Sequence, residues 1–221
     1  IVSSRFRTVI FDCDSTLSAV EGIEELARDH KQEIARLTSL AMTGVLPLEE
    51  VYGHRLALIR PTREQVELVG RRYIEAVVPG ALETVRALQD DGVFVQILSG
   101  GLLPALHIFA RHVGIPDNRV AAVDVWFAMG GAYLGFDTDS PLARSGGKRQ
   151  WIETAGRDLP RPILLVGDGA TDLEARPAID AFAAFTGVVT REEVVRQADV
   201  VLEGPALTSV LGYCGLRSYP P

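Results

Sequence analysis

Cysteine is nearly absent: among 221 residues there are only Cys13 and Cys214. Two cysteines so far apart make neither a CxxC pair nor a secreted disulfide framework. A reduced, cytoplasmic compartment is the expectation. No window holds ~18 uninterrupted apolar residues, so no membrane-spanning helix is expected. No signal-peptide h-region follows Ile1, a first residue other than Met that suggests a trimmed chain. An excess of positive charge is also lacking. Lys and Arg number 22 against 29 Asp and Glu, a formal net charge of −7. That balance, without interleaved basic and aromatic residues, argues against nucleic acid and anionic membranes as partners. Net charge describes the whole surface, however, and leaves room for a small anion in a locally positive pocket. Internal repeats and low-complexity tracts are missing too. What remains is 47% hydrophobic and 23% charged. This is an ordinary globular composition, long enough for one large domain or a main domain with an insert.

Four short runs are near-continuously apolar rather than alternating: Thr8–Phe11, Val93–Leu98, Ile163–Val166 and Ala181–Phe185. Strands buried on both faces of a parallel sheet read this way. Val200–Leu202 adds an edge strand. Between them, Ala81 to Asp91 carries Leu82, Val85, Ala87 and Leu88 on a helical period, with Gly92 as its stop. Thr190-x-x-Glu193 reads as a capping box. The alternation predicts an α/β fold with a doubly wound, mainly parallel sheet. Residues 18–78 break the rhythm. Ile23, Leu26, Ala27, Ile34, Leu37 and Ala41 recur at helical spacing, and Thr62-x-x-Gln65 opens a helix continued by Val66, Val69, Tyr73 and Val77. That stretch is too long for a plain crossover and is expected to be a helical cap, 18–78, inserted into a core of 1–17 and 79–221. Between Val123 and Phe136, two runs flank Gly130-Gly131 and predict a small β-hairpin. The tail from Ser218 to Pro221 is expected to fray.

Acidic residues sit where such strands end. Asp12-Cys13-Asp14 follows the first. Ligands of open α/β sheets bind at the C-terminal strand ends, so both carboxylates can meet one reaction centre, one attacking phosphorus and one shuttling a proton. The plain alternative is a strand end with a helix cap. Gly167-Asp168-Gly169-Ala170-Thr171-Asp172 follows another strand. Carboxylates converging there repel unless a cation lies between them, and few hard oxygen ligands suit Mg2+. The alternative is a polar turn with Asp172 as N-cap. Ser99-Gly100-Gly101 offers a hydroxyl and backbone N–H groups as an anion cradle at a helix start, or is a simple turn. Ser145-Gly146-Gly147-Lys148 lacks the upstream glycine of a phosphate-binding loop and has Arg149 where Ser or Thr belongs. Lys148 either neutralises a phosphate or is solvated surface. His30, His54, His107 and His112 show no metal-ligand spacing and read as surface or core. Cys13 reads as packing.

Taken in order, Asp-x-Asp-x-Thr, Ser, Lys and Gly-Asp-Gly-x-x-Asp resemble the haloacid dehalogenase superfamily. Glu21 to Ala27, Ala41-Met42, Arg55 to Ile59, Gly135-Phe136-Asp137 and Gly169 to Ala175 narrow the resemblance to its phosphoserine phosphatase branch. The resemblance spans about Val9 to Phe185. It implies a Rossmann-like core, a Mg2+-dependent phosphomonoesterase and a small phosphomonoester as partner. It implies Asp12 as nucleophile and Asp14 as acid and then base. The metal would sit on Asp12, the Asp14 backbone carbonyl and Asp168, with Asp172 supporting its water. Ser99, Gly100 and Lys148 would hold the phosphoryl oxygens, with Thr171 near them. Glu21 would meet a substrate ammonium and Arg55 its carboxylate, a match for a planar fork. Met42 would line the pocket, core filling being its other reading.

The chain departs from the branch at Leu48, where an aromatic residue is common, at Leu102, where Phe is frequent, and at Val20, where Glu is frequent. Leu48 keeps another small amino-alcohol phosphate, or transfer to an acceptor other than water, open as alternatives. A catalytically silent binding protein is disfavoured by the intact Asp12, Asp14, Lys148 and Asp168. A homodimer is left open.

Overall fold

The computed structural model describes residues 4–27, 30–42 and 46–216, with only the backbone described for 38–42. The Ser218–Pro221 tail lies outside the described residues. The chain runs β1 (Thr8–Phe11), α1 (Gly22–Leu26), α2 (Lys31–Met42), α3 (Leu48–Ile59), α4 (Arg63–Glu75), α5 (Ala81–Asp90), β2 (Phe94–Leu102), α6 (Leu103–His112) and β3 (Val120–Val123). It continues with β4 (Val125–Phe127), β5 (Tyr133–Phe136), α7 (Gly147–Glu153), β6 (Ile163–Gly167), α8 (Ala170–Leu173), β7 (Ala181–Phe185), α9 (Glu192–Gln197), β8 (Val200–Leu202) and α10 (Ser209–Cys214). Six strands form one parallel sheet in the order β3-β2-β1-β6-β7-β8. β1 lies between β2 and β6, so the strand order reverses there, and the crevice at the C-terminal ends of β1 and β6 is the place for a ligand. β1, β6 and β7 are buried at every position, which is why they read as unbroken apolar runs. Among the described residues no helix is long and apolar enough to cross a membrane.

Four helices, α1 to α4, fill the stretch between β1 and α5. The capping box of α4 forms as read: Thr62 Oγ1 accepts from the Gln65 backbone N–H while the Gln65 side chain accepts from the Thr62 N–H. α4 packs along α6, and β4 with β5 makes a separate antiparallel hairpin turning at Gly130-Gly131. The hairpin meets the helices. Phe136 lies with its ring 5.3 Å from Tyr52 of α3, and the Arg63 N–H donates to the Gly131 carbonyl.

The structure corrects three local expectations. The second core strand does not stop at Leu98; β2 runs through Ser99-Gly100-Gly101 to Leu102, with a register shift against β3. The cradle is therefore a strand end, and α6 starts only at Leu103. Val123 belongs to the main sheet as the end of β3, a strand hidden because Val120–Val123 runs straight into the hairpin sequence. The Thr190–Glu193 capping box does not form: Arg191 is the N-cap of α9 and makes no side-chain cap. Its side chain is drawn to an acid elsewhere.

Candidate active site

The end of β1 presents Asp12, whose N–H continues the sheet to the Val166 carbonyl at 2.9 Å. Its Oδ1 accepts the Cys13 N–H at 2.7 Å. The chain then bends sharply, with Ser15 in the left-handed region at φ 54°. Cys13 is a free, fully buried thiol within the core, as its packing role requires. One strand over, the end of β6 supplies Asp168, and the start of α8 supplies Asp172. Asp12, Asp168 and Asp172 each bring a carboxylate oxygen within 4.8 Å of the others, the one such acidic or metal-ligating group among the described residues. The four histidines are not part of it.

Two cations are already drawn in. Lys148, on α7, is buried with its Nζ 2.9 Å from Asp12 and 2.6 Å from Asp172. Arg191 reaches Asp168 Oδ2 at 3.1 Å, and the Thr16 hydroxyl donates to Asp168 Oδ1 at 3.3 Å. The charges remain out of balance. Burial, then the Asp12 charge, pushes Asp172 up to about 8 against the pull of Lys148. Burial and Asp12 also raise Asp168, against Arg191 and Lys148. Burial lowers Lys148, but Asp12 and Asp172 outweigh it and hold its ammonium above the ordinary range. Buried carboxylates held up this way favour an added cation. Three oxygen donors from Asp residues fit a hard divalent ion.

Asp14 stands apart from that trio. The Tyr73 hydroxyl of α4 donates to its Oδ1 at 2.5 Å. Burial, then Glu21 and Asp12, pushes the Asp14 carboxyl well above the usual carboxylate range, opposed by Tyr73 and the Gly22 N–H. A carboxyl raised in this way holds its proton more readily, which suits proton transfer. Glu21, likewise raised by burial, accepts the Ser15 hydroxyl at 2.6 Å.

Asp12, Asp14, Glu21, Lys148, Asp168 and Arg191 line one cleft of about 280 Å3 together with Leu48, Tyr52, Arg55, Ser99, Gly100 and Thr171. Arg55 of α3 lies over the Tyr52 ring at 5.7 Å. The Tyr52 hydroxyl in turn donates to the Gly100 carbonyl at 2.8 Å, tying α3 to the end of β2. Ser99 is buried, its Oγ accepting the Gly101 N–H at 3.0 Å. Nearly every residue singled out in the sequence thus meets here. Asp172 is not on the cleft wall and reaches it through Lys148. The side chain of Met42 lies outside the described residues. A larger depression at Leu82, Arg86 and His112 gathers no comparable groups.

Sequence reading missed Tyr52, Tyr73 and Arg191. Tyr73 was visible only as one apolar step on a helix face. Arg191 and Tyr52 carry no motif at all.

Comparison with known proteins agrees with this geometry. Residues 9–177 match the family described as haloacid dehalogenase-like hydrolase. The chain is 39% identical over 194 residues to phosphoserine phosphatase of Bos taurus, covering 86% of each. A phosphoserine phosphohydrolase-like protein from Francisella tularensis has a similar structure, with TM-score 0.82 at 25% identity, over 94% of this chain and 99% of that one. A substrate-bound phosphoserine phosphatase complex superposes with TM-score 0.79 at 25% identity, over 96% and 98%.

Proposed function

The chain belongs to the haloacid dehalogenase-like hydrolases, and from this we infer that it hydrolyses O-phosphoserine to serine and phosphate. The reaction runs through an aspartyl-phosphate on Asp12. The observation that carries the reading is the convergence of Asp12, Asp14, Lys148 and Asp168 on one cleft at the strand-order reversal. Asp12 attacks phosphorus. Asp14, whose carboxyl is held well above the usual carboxylate range by its buried and acidic surroundings, gives its proton to the leaving serine oxygen and then takes one from the water that attacks the aspartyl-phosphate. Lys148, Ser99 and the Gly100 N–H receive the phosphoryl oxygens, and Thr171 lies beside them. Glu21 and Arg55, which line the same cleft, take the substrate ammonium and carboxylate. The family resemblance adds Met42 to these substrate-binding residues.

Mg2+ would fit this site: Asp12, Asp168 and the Asp14 backbone carbonyl would hold it, with Asp172 in support. When bound, it neutralises charge on the carboxylates and the phosphoryl group. Residues 18–78 act as a cap that keeps water out during the first step and admits it for the second. Two buried free thiols, Cys13 and Cys214, support a reducing cytoplasm as the location, and release of serine as the product supports serine biosynthesis as the setting.

The test is turnover of phosphoserine with Mg2+ and with EDTA, beside an Asp12→Asn variant. Activity should need the metal and fall at least about a thousandfold in Asp12→Asn. An unchanged rate in that variant would sink the nucleophile assignment. Leu48 lines the cleft and supports a second reading, the same chemistry on another amino-alcohol phosphate. A kinetic panel of phosphoserine, phosphothreonine, phosphoethanolamine and phosphohomoserine separates the two. Phosphoserine should have the highest kcat/KM.

A further inference from the structure

Four acids of the site are held by a cation or, in one case, by a serine hydroxyl. Asp12 and Asp172 meet Lys148, Asp168 meets Arg191, and Glu21 meets Ser15. Asp14 is different: its Oδ1 accepts a hydrogen bond from a tyrosine 59 residues away, and the Gly22 backbone N–H also faces the carboxyl. Tyr73 is fully buried near the end of α4. Its position is fixed from several sides. Its carbonyl accepts the Ser18 hydroxyl at 2.9 Å, and its ring tilts against Phe109 at 5.7 Å. Gly22 comes so close that a Cβ there would stand 2.1 Å from the Tyr73 hydroxyl. The hydroxyl therefore has one place to be, and that place is on Asp14.

We propose that Tyr73 is a positioning residue for the acid–base step: it locks one oxygen of Asp14 so that the other is presented to the leaving oxygen and then to water. The inference rests on the reading of Asp14 as acid and base. When the P–O(serine) bond breaks, its electron pair goes to the serine oxygen, which takes the Asp14 proton. When water forms its bond to phosphorus and the P–O(Asp12) bond breaks, the water proton goes to Asp14. A tyrosine hydroxyl can donate to a carboxylate, more strongly, and also to the carbonyl oxygen of a neutral acid, so one contact serves both states. Because α4 belongs to the helical stretch between β1 and β2, that stretch and the aim of the acid are set by the same bond.

Tyr73→Phe keeps the ring and removes only the donor. The readout is the rate of aspartyl-phosphate formation in rapid-quench experiments with Mg2+-loaded enzyme and two donors. Phosphoserine needs its leaving oxygen protonated; acetyl phosphate, which leaves as a stable carboxylate, does not. With phosphoserine the rate should fall roughly tenfold to a hundredfold, a part of the usual worth of general acid catalysis, while KM stays within about twofold. With acetyl phosphate it should stay within about threefold. An equal loss on both donors, or no loss on phosphoserine, overturns the proposal. Asp14→Asn is the reference. If it too fails to separate the donors, the acid reading itself is wrong. If it separates them and Tyr73→Phe does not, only the role of Tyr73 falls. Should Tyr73→Phe not fold, Gly22→Ala, which displaces the same hydroxyl, must reproduce the donor-selective loss, and an unselective result there counts against the proposal.

Discussion

Lys148 illustrates how one side chain can decide both stability and chemistry. It is 4% exposed and touches two carboxylates that are themselves buried. Removing one partner of a buried ion pair leaves the other charge without compensation and costs about 3–5 kcal/mol. Lys148→Met should therefore lose a comparable amount in urea unfolding of the metal-free protein, and should lose phosphatase activity as well. Replacing Lys31, the one other lysine of the chain and an exposed one, should change neither by a measurable amount. The contrast explains what sequence could and could not say about single residues. Asp12, Asp14 and Asp168 were legible because each follows an apolar strand, and strand ends are where an open sheet binds ligands. Lys148 was legible only by its place in an ordered set of motifs. Tyr73 was read as core, which it is, with its buried ring against Phe109. The use of its hydroxyl depends on Asp14 lying across a tertiary contact, and no local pattern encodes that. Arg191 was masked by a competing local rule, since Thr190-x-x-Glu193 invited a capping box while the ion pair to Asp168 decided the outcome.

At the scale of elements, α4 links the helical stretch to the sheet, and its sequence shows why it holds. The Thr62–Gln65 box closes its first turn. Thr62→Ala should cost about 1 kcal/mol, the usual worth of such a cap, measurable as a lower urea midpoint with an unchanged m-value. On the face turned to α6, a Cβ at Gly70 would meet the Ala105 carbonyl and Ile108 at 2.8 Å. Gly70→Ala should therefore push the two helices apart and cost about 1–3 kcal/mol, as overpacking does, despite the better helix propensity of alanine. A stabilised Gly70→Ala variant would mean that α4 and α6 are not packed this closely. Helix periodicity carried α4 and α5 well because each has a buried stripe and a clean stop. Gly92 stands just past α5 at φ 77°, as a helix-ending glycine does. Boundaries failed where two elements share one apolar run. β3 ends at Val123 and β4 begins at Val125, so nothing in the residue types separates an edge strand of the main sheet from the first strand of a hairpin. β2 continues through two glycines, which read locally as a turn; the strand pairs with β3 on either side of them, at Leu98 and Leu102, with a register shift between.

The charge of the whole molecule, −7, gains its meaning from where the acids are placed. Asp12, Asp168 and Asp172 lie together in the interior and are only partly answered by Lys148 and Arg191. In the ion-free protein Asp172 titrates at about 8, because burial and Asp12 disfavour its charge. Its folded-state pKa is thus raised above the ordinary aspartate value. The sign follows from linkage: the stability this group contributes is complete below the ordinary aspartate range and is lost as pH rises through about 8. A cation acts in the opposite direction. It binds the ionised carboxylates, so it must displace a proton below that pH and need not above it. Ligand binding to the folded state alone raises stability with the logarithm of ligand over Kd. The difference in Tm between protein in Mg2+ and protein in EDTA should therefore widen as pH rises from about 6 to about 8 and level off beyond. Asp172→Asn, which cannot ionise, should flatten that dependence while a smaller Mg2+ effect persists through Asp12 and Asp168. A Tm difference that is constant across this range, or absent, would place the cation away from the three aspartates. The acidity that argues against polyanionic partners across the surface would then lose its explanation at the site.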